Sequence, residues 1–255
     1  MPKSMPLEPR LSTAPAPELT LPPPFAAVRL REVGDAFAHA VAIAPKQGAG
    51  TLVHVGRFDL AEFALVLEPE EPLRQARRAF YAGMAALADA LAGTAPPETA
   101  INIEWPDALY VNWGLVGGGR LAWPKKIGEH EVPPWMVFGG MIRTASMAGN
   151  DPGATPDITA LDEEGFADIT ANHVVESFAR NFMHAVDAWH DSGFGAVAKS
   201  YLERFPPESG LRRDIDDNGD LLLRRMASAQ VERNALLPRL KEPSWFDPVS
   251  KGPRS

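Results

Sequence analysis

The chain has 255 residues, no cysteine and a formal net charge of −8, with 45% hydrophobic and 23% charged residues. The lack of cysteine excludes a disulfide framework, a thiolate zinc site and any cysteine nucleophile, and the acidic balance argues against a nucleic-acid surface. The length suits one main domain with a small appendage; no apolar run approaches the ~20 residues of a membrane span, and with no basic-then-apolar start a cytoplasmic location is the expectation.

Residues 1–24 hold eight prolines (Pro2, Pro6, Pro9, Pro15, Pro17 and Pro22 to Pro24) and few large apolar side chains, the composition of a disordered leader. Phe25–Val33 alternates as a strand, and Asp35 caps a short helix over Ala36–Ala44 that ends at Pro45. Gln47-Gly48-Ala49-Gly50 forms a loop feeding a strand at Thr51–Arg57, and Phe58-Asp59 turns the chain into a second strand at Glu62–Leu67. Glu70-Glu71-Pro72 opens a long helix with Leu73, Phe80, Met84, Leu87 and Leu91 on its inner face and Gly93 as its stop.

Residues 101–120, INIEWPDALYVNWGLVGGGR, organise the rest. Two short strands, Ile101–Trp105 and Leu109–Asn112, are broken at Pro106-Asp107, since proline cannot donate to a central ladder. A turn at Asn112-Trp113-Gly114 leads into a third strand carrying Gly117, Gly118 and Gly119. Three glycines weaken a strand, so something lies close against that backbone: a bound ligand or another packed backbone. Trp135–Thr144 reads as a buried strand able to pair with Gly119–Trp123. A second long helix follows Asp168-Ile169-Thr170, with Val174, Phe178, Phe182, Ala185 and Trp189 inward and Gly193 at its end, and a third helix spans Phe194–Phe205. Arg212–Ile215 and Asp220–Arg225 flank Asp217-Asn218-Gly219, a hairpin signal. After Met226 the pattern supports one weak helix near Glu232–Leu240 and a loose tail.

Glu104-Trp105-Pro106-Asp107-Ala108-Leu109-Tyr110, followed by Gly117-Gly118, resembles the K-W-P-N-D motif and Gly-containing strand of the biotin/lipoate–protein ligase family, with weaker likeness from about Phe25 to Leu223. The resemblance implies an α/β (α+β) fold, a mixed sheet with helices packed on it, in four parts: leader 1–24, catalytic domain 25–193, a small C-terminal helix and β-hairpin region 194–240, and tail 241–255. It implies an ATP- and Mg-dependent ligase that activates a biotin- or lipoate-like carboxylic acid and passes it to a lysine of a carrier domain, a protein modification. It also implies a ligand site of Gly48, Gly50, Trp105, Pro106, Asp107, Gly117, Gly118 and Gly119. Gly48 and Gly50 stand where the family carries a Gly-Arg-rich adenylate loop, yet the nearest arginine is Arg57, so a plain connector is the competing reading.

The sequence departs from the family pattern where chemistry is concentrated. Leu115 stands in place of the family lysine, and leucine cannot neutralise a carboxylate or phosphate; Ala108 and Glu104 replace two motif residues. Arg120 and Arg143 are the candidate substitutes, with Lys125 and Lys126 behind them as solvated loop charges. The alternative function is therefore a non-catalytic ligand-binding relative. A cysteine-thioester acyltransfer mechanism is excluded outright. Asp214, Asp216, Asn218 and Gly219 match half of a calcium loop, but Arg225 stands at its twelfth position, so the hairpin reading prevails. His184, Asp187 and Asp191 read as the solvated face of a helix, and no metal site is expected.

Overall fold

The computed structural model describes residues 18–146, 157–226, 228 and 230–254. Seven strands form one sheet in the order β1-β2-β3-β7-β6-β5-β4: β1 (Ala26–Leu30), β2 (Thr51–Val55), β3 (Leu60–Leu67), β4 (Ile101–Glu104), β5 (Ala108–Val111), β6 (Gly114–Ala122) and β7 (Met136–Arg143). Only β1 and β2 run parallel; the other neighbours are antiparallel. This is the mixed α/β sheet expected from the sequence, including the β6–β7 pairing.

The two faces of the sheet are covered differently. Ala61, Phe63 and Leu65 of β3 and Phe138 and Ile142 of β7 face the main core, where they meet α3 (Ala79–Ala92) and α4 (Ala171–Ser192). The alternate residues face the other way, following the two-residue period of a strand. There Ala64, Val66 and Val137 pack under α1 (Ala36–Ile43), whose N-cap Asp35 accepts from the Ala38 N–H at 2.8 Å. Leu60, Ala108, Leu115 and Met141 form a second, separate patch on that face, covered by Trp245.

The single helix expected from Leu73 onward is two: α2 (Leu73–Ala76) and α3, with three-residue hydrogen bonds from the N–H groups of Arg78, Phe80 and Tyr81 through the junction. Buried Arg77 and Arg78 fix that break by pairing with Glu129 and Glu71. The third helix, α5 (Phe194–Leu202), ends three residues early; its Val197, Ala198 and Tyr201 share the main core with α3 and α4, so no separate core begins at residue 194. The hairpin β8 (Leu211–Ile215) and β9 (Leu221–Arg225) gains a third strand, β10 (Val231–Asn234), where a helix was expected; helix α6 (Leu236–Lys241) starts only after it. Val231, Glu232 and Arg233 are exposed and pair with β9, while the buried Leu236 and Leu240 fall on the helix.

Both ends of the chain need correction against the sequence reading. Residues 1–17 lie outside the described residues, but 18–24 are docked: Leu19 and Leu21 pack on the main core, and the Thr20 N–H donates to the Glu176 carboxylate at 2.7 Å. The tail after residue 241 is not loose either. Strands β11 (Phe246–Asp247) and β12 (Gly252–Pro253) pair with each other, and Trp245 is 1% exposed.

The glycine run is explained by packing. A Cβ on Gly117, which holds φ +152°, would sit 1.9 Å from the Met141 carbonyl oxygen; on Gly118 it would meet the Asp107 carbonyl at 2.0 Å and the Trp245 indole at 2.5 Å; on Gly119 it would meet Met84 Sδ at 2.5 Å. Gly118→Ala is therefore expected to cost about 2 kcal/mol or more and to lower the melting midpoint by several degrees. Gly195→Ala, on α5 with nothing within 4 Å, should be neutral or stabilising by ~0.5–1 kcal/mol. Thermal unfolding of the two variants checks both values, and equal midpoints would contradict the packing described.

Candidate functional site

The irregularity at Gly117 decides which residues share the site. Pairing between β5 and β6 shifts register between Leu109 and Tyr110, so Gly117 opposes Leu109 while Leu115 opposes Tyr110. The shift places Leu115 and Gly118, three residues apart, on the same face of the sheet. Leu115 is held there by backbone bonds to the segment beside it: its N–H donates to the Asp157 carbonyl at 2.8 Å and its carbonyl accepts from the Thr159 N–H at 3.2 Å.

At the α1 end of this face the side chains are charged. Glu62 of β3 accepts the Ala36 N–H at 2.8 Å, at the first turn of α1, and burial raises its carboxyl above the usual range. Asp35 lies 3.8 Å from the Arg120 guanidinium, which rests over the Phe37 ring at 4.2 Å and over the Phe246 ring at 4.4 Å. Arg57, in the β2–β3 turn, pairs with Asp59 through two bonds of 3.0 and 2.5 Å, and its charge also acts on Glu62. The result is an apolar floor of Leu60, Ala108, Leu115 and Met141 bounded by two arginines, Arg57 and Arg120, and three acids, Asp35, Asp59 and Glu62. Among the described residues no group of three or more His, Asp or Glu could hold a metal ion; Asp35 and Glu62 already serve backbone N–H groups and Arg120, and do not fit a resident Mg ion.

Residues of the C-terminal segment close over that floor. The Trp245 indole Nε1–H donates to the Gly119 carbonyl at 2.9 Å. The Asp107 carboxylate accepts from the Ser244 N–H at 2.8 Å and from its hydroxyl at 2.6 Å. Arg143 donates to the carbonyls of Pro253 and Arg254 at 2.8 and 2.6 Å and to that of Leu115 at 3.4 Å. Arg143 is thus occupied by main chain, and of the two candidate substitutes only Arg120 stands among the charged groups of the face.

The Trp-Pro-Asp triplet is engaged by the protein itself. Trp105 Nε1–H donates to the Tyr81 hydroxyl at 3.1 Å, the Pro106 carbonyl accepts from Tyr201 at 2.8 Å, and Asp107 binds Ser244. The motif is a junction joining the sheet to α3, α5 and the C-terminal segment. Gly48 and Gly50 are not brought to it. The Gly50 N–H donates to the Val66 carbonyl, and Val66 pairs with Val137 and through it with Ala122, whereas Gly118 pairs with Met141 and through it with Glu62, at the other end of the sheet. Gly50 instead takes φ +86° against the Pro24 carbonyl, so the loop seats the leader. The loop nearest the charged end is Gly56 to Asp59, which carries Arg57. Trp113 is exposed and lines, with Trp105, Tyr110 and Phe205, a shallow cavity of about 340 Å³.

Sequence reasoning missed Phe37, Glu62, Ser244, Trp245 and Phe246. One signal was present: a Trp-Phe pair bracketed by Pro243 and Pro248 in an otherwise polar tail, which a loose segment has no reason to carry.

The model of the biotin/lipoate A/B protein ligase family matches residues 21–203. The chain belongs to that family. Among the family's proteins, the biotin–[acetyl-CoA-carboxylase] ligase of Paracoccus denitrificans is 29% identical over 188 residues, 66% of this chain and 75% of that protein. A biotin protein ligase-like protein of unknown function from Silicibacter sp. tm1040 is 27% identical, with TM-score 0.74 over 87% of this chain and 98% of the other. The biotin protein ligase of Aquifex aeolicus, solved in complex with biotin and ATP, shares the fold at 14% identity and TM-score 0.57, over 82% and 98% of the two chains.

Asp107 gives the site a pH signature. Burial raises its carboxyl to about 6, against the lowering effect of the Ser244 hydrogen bonds. An unfolded aspartate titrates near about 4, so between pH 4 and 6 the folded chain holds a proton the unfolded chain has released. This group's contribution to stability is greatest below about pH 4, declines as the pH rises to 6, and is level above. In urea unfolding, the stability of wild type relative to Asp107→Asn is expected to fall by on the order of 2–3 kcal/mol from pH 4 to pH 7. A pH-independent difference would show that Asp107 stays ionised in the folded protein.

Proposed function

We propose that this family member is a ligand-binding relative of the biotin/lipoate ligases, taking a biotin- or lipoate-like carboxylic acid on the sheet face that carries Gly118 and Arg120. The observation that carries the reading is the division of that face: an apolar floor of Leu60, Ala108, Leu115 and Met141 suits an alkyl or ring portion, and Arg120 at the charged end suits a carboxylate. With Leu115 part of that floor and buried at 8% exposure, no lysine among the described residues stands beside the acid to stabilise charge during activation, and losing such a contact costs roughly 10²–10³ in rate.

A second reading, ATP-dependent activation and transfer to a carrier lysine, is favoured by one feature: Arg57 and Arg120 both act on Glu62, so two cations stand at one end of the floor where a carboxylate and an α-phosphate would meet. Under that reading any Mg ion would arrive with the nucleotide. Calorimetric titration with biotin, lipoate and octanoate, combined with pyrophosphate exchange into ATP, separates the two. Saturable binding of one acid is expected, weakened roughly 10- to 100-fold by Arg120→Ala, without exchange above background. Exchange that disappears in Arg120→Ala would establish the ligase reading, and no binding of any acid, by the full chain or by its Trp245→Ala and Phe246→Ala variants, would overturn both.

A further inference from the structure

We propose that residues 244–254 form an internal strap that occupies the ligand face, so that a bound acid and the strap compete for the same surface. The inference rests on the assignment of the acid to that face and adds its regulation.

Three contacts place the strap where the acid would lie. Trp245 fills the niche above Gly118: its indole Cδ1 lies 2.5 Å from where a Cβ would stand, and it packs on Leu60, Ala108, Leu115 and Met141, the whole of the apolar floor. Phe246 lies over the Arg120 guanidinium at 4.4 Å, beside Phe37 at 4.2 Å, so the strap crowds the cation meant for a carboxylate. Arg143 grips the two carbonyls of Pro253 and Arg254, fastening the far end of the strap to β7.

The construction also allows release. The patch under Trp245 is separate from the main core under α3 and α4, so lifting the strap uncovers the floor without opening the helical layer. Trp245 is the one large side chain of the strap that is fully buried; Phe246 is only partly buried and Val249 is exposed. Its internal bonds are those of the two-residue strands β11 and β12, the Arg254 N–H to Trp245 carbonyl bond of 2.7 Å, and the Val249 and Ser250 N–H bonds to the Asp247 carboxylate at 2.9 and 3.2 Å. The polar ties at Asp107 and Arg143 are hydrogen bonds that water can replace once the segment lifts.

The test compares the full chain with Trp245→Ala and with Phe246→Ala. Phe246→Ala uncovers Arg120 without emptying the Gly118 niche and serves if Trp245→Ala does not fold. Affinities for biotin, lipoate and octanoate are measured by calorimetry, and amide hydrogen exchange of residues 245–254 is followed with and without saturating acid. Both variants are expected to bind at least tenfold more tightly than wild type, and bound acid is expected to raise exchange across the strap severalfold. Equal affinity in all three proteins, with strap protection unchanged by bound acid, overturns the strap and leaves the ligand assignment standing. Failure of the wild type and both folded variants to bind any of the acids overturns the ligand assignment, and the strap with it.

Discussion

The seat of Trp245 above Gly118 is the contact on which the site depends. An indole edge can come this close to a strand only where the strand has no side chain, and its N–H, once buried, must find an acceptor. Gly118 supplies the first condition and the Gly119 carbonyl, 2.9 Å from Nε1, supplies the second. The two requirements meet because β6 bulges at Gly117, which moves Leu115 onto the same face and completes the apolar floor. Replacing any one of these residues leaves the others without their reason: a side chain at Gly118 evicts the indole, and without the indole the floor stands open to water.

The charged end follows from the same economy of space. Arg120 points from β6 into a region already holding Asp35, Glu62 and the first turn of α1, and burial works against its charge while the two acids support it. A guanidinium keeps its charge in such surroundings because its flat faces tolerate aromatic cover while its edge bonds acceptors. Phe37 and Phe246 supply that cover, one from α1 and one from the strap. The cation therefore links α1 to the C-terminal segment over the central strands.

Much of the fold was legible in the sequence because most elements carry local signals: the 3.6-residue pattern of α3 and α4, the cap at Asp35, Gly193 as a stop, and the Asn218-Gly219 hairpin. The Trp-Pro-Asp and glycine segments were singled out correctly as the organising stretch, yet their partners were not visible. Tyr81, Tyr201, Ser244 and Trp245 lie far away in sequence, and nothing in local periodicity links them to residues 105–119. Gly48 and Gly50 meet the same limit: loop composition resembles a ligand loop, whereas only the sheet register shows which end the loop occupies. β10 was missed because four mostly polar residues become a strand only through pairing with β9.

The most direct test is the contact itself. In the NMR spectrum of the full chain, the Trp245 indole N–H is expected to show strong nuclear Overhauser effects to the α-protons of Gly118 and Gly119 and slow exchange with solvent. A Trp245 indole that exchanges as fast as that of exposed Trp113, with no cross-peak to β6, would contradict the account.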